Sequence, residues 1–96
     1  MIDIVIVQPI ATSSGLSTQV VRTFESKMMP QVGHKIRDRS FGHDVDRAIE
    51  DVVIDYVADE CYAYLPVITL EGADKEGLRD YAREYERHGW EWPRQI

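Results

Sequence analysis

Residues 49–71 constrain the fold more than any other stretch. Val52, Ile54, Tyr56 and Ala58 alternate with Asp51, Val53, Asp55, Val57 and Asp59, the period-two signature of a half-buried strand. Asp59 and Glu60 interrupt it, and residues 61–70 are again rich in β-formers. With Asp59-Glu60 as the loop, Ala58 faces Cys61, Tyr56 faces Ala63, Ile54 faces Leu65 and Val52 faces Val67. All eight then share one face. The opposite face carries Asp55 across from Tyr64 and Val57 across from Tyr62. A one-residue slip would mix the faces, so the hydrophobic pattern selects this register. Asp-Glu lacks the glycine that two-residue hairpins favour; a four-residue loop, 58–61, keeps the same pairing.

The flanking segments extend this hairpin into a sheet. Residues 2–10 are almost continuously apolar, as expected of a strand covered on both faces, with Pro9 near its end. Residues 11–19 are Ser/Thr-rich around Gly15 and read as a loop. Residues 20–29 fit either a helix or a strand; Val20-Val-Arg-Thr-Phe24 is β-branched or aromatic at four of five positions, which favours a strand paired with the first. Pro30 and Gly33 mark a corner before a short strand at 35–39. Residues 40–46 read as a polar loop.

Asp74 is a plausible helix N-cap ahead of residues 75–88. Leu78, Tyr81, Ala82 and Tyr85 recur at i, i+3, i+4 and i+7, one apolar stripe. Arg87 and His88 suit the negative helix end, and Gly89 suits the residue beyond it. The expected fold is therefore α+β. An antiparallel sheet of four or five strands, open or curled into a partly open barrel, carries one C-terminal helix. Residues 1–96 make a single domain.

Ninety-six residues, 44% of them hydrophobic, suffice for one core. Cys61 is the only cysteine, which excludes an intrachain disulfide and suits a reducing compartment. Residues 2–7 are too short to span a bilayer and lack the features of a signal peptide; a cytoplasmic location with no membrane partner is expected. The formal charge is −6, which disfavours direct nucleic-acid binding. Charge is also segregated: residues 44–60 hold seven acids against Arg47 alone, whereas residues 22–39 hold five bases against Glu25 and Asp38.

No phosphate-loop motif occurs. His34, Asp38, His43, Asp44 and Asp46 include hard and borderline metal ligands, but a solvated acidic loop accounts for them and no metal or other cofactor is expected. Cys61 with His34 or His88 would be a nucleophile pair, yet Cys61 falls on the core face. Ser13 and Ser14 have no nucleophile setting, and Asp55 with Glu71 would need a cleft over the sheet. No enzymatic activity is expected.

The aromatics are more telling. Tyr62 and Tyr64 fall on the face away from the core beside Asp55 and Val57, and Trp90 and Trp92 follow the helix as core or contact residues. Tyrosines among carboxylates suit a protein-binding surface, made of Asp51, Asp55, Val57, Asp59, Glu60, Tyr62 and Tyr64. The expected function is a small acidic inhibitor or modulator docking on a larger protein with a basic surface. In size and charge it is like the accessory proteins of phages and mobile elements. Two alternatives stay open: a module that self-associates as a homodimer through an unpaired strand at 20–28, and a metal- or small-ligand-dependent activity using His34, His43 and Asp46.

Overall fold

β1 (Ile2–Thr12) runs through the middle of the molecule and organises the rest. The computed structural model describes residues 2–42 and 45–93. β2 (Ser17–Ser26) folds back on β1 as a long antiparallel hairpin, pairing Ile2 with Ser26 and Ala11 with Ser17. The Ser/Thr segment tightens the turn: Thr12 N–H donates to Leu16 O at 2.8 Å, and Leu16 N–H donates to Thr12 Oγ1 at 3.1 Å. Residues 20–26 are thus strand, as their β-branched content favours.

The chain then makes an excursion. β3 (Lys35–Arg37) and β4 (Asp46–Ala48) form a separate two-stranded sheet. Between them Asp38 starts a 3-10 turn, Arg39–Phe41, by accepting from Ser40 N–H at 3.0 Å. The turn puts Phe41 into the core, so the polar loop expected at 40–46 holds a core residue near its start.

β5 (Asp51–Asp55) pairs antiparallel with β6 (Glu60–Tyr64), and β7 (Ile68–Leu70) follows. The order is β2-β1-β6-β5, with β7 beside the far end of β1. Both β6 and β7 run parallel to β1, from Asp3 opposite Glu60 to Thr12 opposite Leu70. The α+β class holds, but the sheet is mixed rather than wholly antiparallel, and it stays open instead of closing into a barrel. Pro66 separates β6 from β7 because it has no N–H to give a ladder. The Gln8 side chain spans the break, donating to Pro66 O at 2.8 Å.

The central hairpin differs from its expected register. Asp51 faces Tyr64, Val52 faces Ala63, Val53 faces Tyr62, Ile54 faces Cys61 and Asp55 faces Glu60. The cause is turn chemistry. Asp55 Oδ1 accepts from both Val57 N–H and Ala58 N–H at 3.0 Å, and Asp59 takes φ 56°, a conformation that Asp tolerates better than most residues. The loop is therefore residues 56–59. Tyr56, expected in the core, is 87% exposed, and Val57, expected opposite Tyr62, is 99% exposed. The displacement is by an even number of residues, so the faces keep their identity: Cys61, Ala63 and Leu65 are buried inward, and Tyr62 and Tyr64 point the other way.

α1 (Lys75–Arg87) begins where Asp74 accepts from Gly77 N–H at 2.9 Å. Leu78, Ala82 and Tyr85 are buried, and Tyr81 packs at the margin. Gly89, at φ 92°, turns the chain, and Glu91 then pairs with Val21 through two backbone bonds of 2.9 and 2.8 Å. Trp90 meets Tyr85 edge-on at 5.4 Å, and Trp92 Nε1 donates to Thr18 Oγ1 at 2.8 Å. Both tryptophans are core residues.

One cluster unites Ile4, Ile6 and Ile10 of β1 with Val20, Cys61, Ala63 and Leu65, the helix stripe, and Phe41 and Ile49 from the excursion. Val5 and Val7 lie outside it, on the opposite face, buried between their cross-strand neighbours Thr23 and Tyr62, and Val21 and Tyr64.

Candidate protein-binding surface

The face of the sheet turned away from α1 carries Val5 and Val7 on β1, Tyr62 and Tyr64 on β6, and Asp51, Val53 and Asp55 on β5. This follows from strict alternation: even residues of β6 and odd residues of β5 share that side. Both tyrosines are half-buried on this face. The Glu60 carboxylate, as hydrogen-bond partner and then as charge, pushes the Tyr62 phenol above its ordinary value, and burial and Asp55 add to this. Tyr62 is therefore a neutral hydrogen-bonding group at any physiological pH.

Asp51, Val53 and Tyr64 border a shallow groove of about 440 Å³ with Pro9, Glu50, Leu65 and Val67. Val53 and Val67 are 44% and 56% exposed there, so the groove is apolar with an acidic rim. Across the hairpin tip, a second hollow of about 200 Å³ lies among Met29, Ile54, Asp55, Tyr56, Asp59, Glu60 and Cys61.

Of the expected contact residues, Asp51, Asp55, Glu60, Tyr62 and Tyr64 are brought together on one side of the β5–β6 pair. Val57 and Asp59 are set apart in the tip. Asp55 is not a free surface charge, because its carboxylate holds the turn.

The other candidates separate. Cys61 is buried with Sγ 3.8 Å from Met29 Sδ, and burial pushes its thiol up, the reverse of what a nucleophile needs. Asp46 is taken by Arg37 at 2.7 Å, and Asp38 by Ser40 and Arg22. His43 and Asp44 lie outside the described residues. Among the described residues no three His, Cys, Asp or Glu side chains gather as a metal site, and no helix is long and apolar enough to cross a membrane.

One constellation escapes the sequence reading. Arg47, the lone base of the acidic segment, points inward from β4. Its Nη1 donates to Gln8 Oε1 at 2.8 Å and to Tyr85 Oη at 2.6 Å, and its guanidinium lies 4.2 Å from the Phe41 ring centre. The available signal was Gln8, a polar residue at a core-facing position of β1, which calls for a buried partner.

Comparison with protein-family models, with curated proteins and with solved structures returns no match.

Proposed function

We propose that this protein is a non-enzymatic binding module that docks its β5–β6 surface on a basic region of a larger protein and so inhibits or modulates it. The observation that carries this is the hairpin tip. Tyr56 and Val57 are almost fully exposed beside Asp59 and Glu60, in the loop that joins the two strands of the tyrosine-bearing face. Exposed apolar side chains ringed by carboxylates suit a partner that supplies both apolar contact and positive charge.

The edges of the sheet favour a foreign partner over self-pairing. Glu91 occupies the outer edge of β2 at Val21, the edge through which a homodimer was expected. β5, the opposite edge strand, carries Asp51 and Asp55, and two copies paired there would bring carboxylates together.

Photo-crosslinking from position 57 in lysate of the native cell, with peptide mapping of the captured protein, tests the proposal. Crosslinks to a Lys/Arg-rich surface, lost in Asp51→Lys and in Tyr62→Ala, are expected. Equal capture by wild type and both variants would remove the support. Asp51 is the better reversal site than Asp55, whose replacement would also disturb the turn.

A further inference from the structure

Three of the five bases of residues 22–39 converge in space. Arg22 on β2, Arg37 on β3, Arg39 in the 3-10 turn, and Arg87 and His88 at the close of α1 line one open cleft of about 550 Å³. Asp38 is the only acid among its lining residues. The cleft lies toward the β2 side of the sheet, whereas the acidic strand β5 forms the other edge. We propose that this cleft binds a compact, multiply charged phosphate anion of the pyrophosphate or nucleotide-polyphosphate class.

Asp38 acts here as a positioning group. Its Oδ1 accepts from Ser40 N–H at 3.0 Å, Ser40 Oγ at 2.8 Å and Trp90 Nε1 at 3.4 Å. Its Oδ2 takes Arg22 Nη1 at 3.1 Å, and the same nitrogen donates to His88 O at 3.0 Å. Arg22 is thus fixed between β2, the 3-10 turn and the helix end. Arg37 is held by Asp46 and Arg87 by Glu84; Arg87 gives Glu84 one Nη1 bond, and a guanidinium has five N–H donors. Arg39 has no ion-pair partner among the described residues.

Arginine forks match phosphate oxygens in pairs, and four of them from separate elements surround more room than a single phosphate fills. The ligand is compact because the protein as a whole is at −6. An anion seated in the cleft feels the arginines at contact distance. A nucleic-acid strand leaving the cleft would meet an acidic surface, screened only beyond roughly 8 Å at physiological salt.

Titration of pyrophosphate into the full chain at low salt, followed by calorimetry and by arginine Nε–H NMR, tests the assignment. Saturable binding with shifts at Arg22, Arg37, Arg39 and Arg87 is expected. Arg39→Glu should weaken it by at least about tenfold, with the near-ultraviolet signal of Trp90 and Trp92 unchanged, while Asp51→Lys leaves it intact. Failure to saturate, undiminished affinity in Arg39→Glu, or tighter binding of a single-stranded oligonucleotide than of pyrophosphate would each overturn the proposal.

Discussion

Arg47 Nη1 donates to Gln8 Oε1 at 2.8 Å, joining side chains 39 positions apart. Through this bond and the one to Tyr85, β4 is tied to the central strand and to the helix. No carboxylate lies within ion-pair reach of Arg47 among the described residues, so two neutral acceptors and the Phe41 ring satisfy it. Replacing Gln8 with Leu removes the Arg47 acceptor and the donor to Pro66 O together. A loss of about 2–4 kcal/mol is expected, read by urea denaturation. Tyr85→Phe should cost less, about 1–2 kcal/mol, and the double variant should be non-additive.

Tyr85 also gives a readout in base. Burial, partly offset by Arg47 and reinforced by Tyr81, pushes its phenol up to about 12. The unfolded chain ionises near 10 and so releases this proton first. The contribution of Tyr85 to stability is intact below pH 10 and declines as pH rises toward 12. Ultraviolet titration should show a tyrosine ionising at about 12 in the wild type that is missing in Tyr85→Phe.

Asp38 governs the acid side. Burial alone would raise its carboxyl, but bonds from Ser40, Trp90 and Arg22 outweigh that and hold it below the usual value. A depressed folded-state value stabilises above the unfolded value, about 4, and this contribution disappears as pH falls through the folded value. Asp38→Asn should be less stable at neutral pH and should lose part of the acid-induced decline, as measured by thermal melts from pH 7 to pH 2.

At the hairpin tip, Asp59 sits at φ 56°. Asp59→Gly relieves that conformation and should stabilise by about 0.5–1 kcal/mol. Asp55→Ala removes the acceptor for two backbone N–H groups and should cost about 1 kcal/mol. Opposite signs at two carboxylates four residues apart, seen in denaturation midpoints, would confirm that the turn sets the register.

Tail removal is the severest change. Trp90→Ala opens the space between Phe41 and Tyr85 and should cost about 3–5 kcal/mol. Trp92→Phe keeps an aromatic ring but loses the indole N–H and its bond to Thr18, and the lost bond costs about 1 kcal/mol.

Alternation made both faces of the hairpin legible, because parity survives any even slip: Cys61, Ala63 and Leu65 were placed inward from sequence alone. The register was not legible, because side-chain bonds from Asp55 compete with the hydrophobic pattern and win at the turn. The helix was legible from cap to stripe to Gly89. The parallel pairing of β1 was hidden, because no crossover helix announces it; the excursion through β3 and β4 provides the return path. Trp90 and Trp92 flank Glu91 with strand spacing, a sign that three residues were enough to join an edge. Five of the seven residues expected on the acidic surface share one side of the β5–β6 pair, and Val57 and Asp59 fall in the turn, whereas the arginine cleft draws on four elements, and only its charge was visible in the chain.

The late partners of β1 bear on how the molecule is made. Pairing Asp3 with Glu60 means that one side of the central strand stays bare until nearly sixty further residues have been synthesised. At roughly 5–20 residues per second, a sticky apolar ribbon waits several seconds on the ribosome. Only the β1–β2 hairpin can shield it meanwhile. Nascent chains stalled near residue 50 should therefore be protease-sensitive and recruit holding chaperones, whereas chains long enough to expose residue 92 should resist digestion.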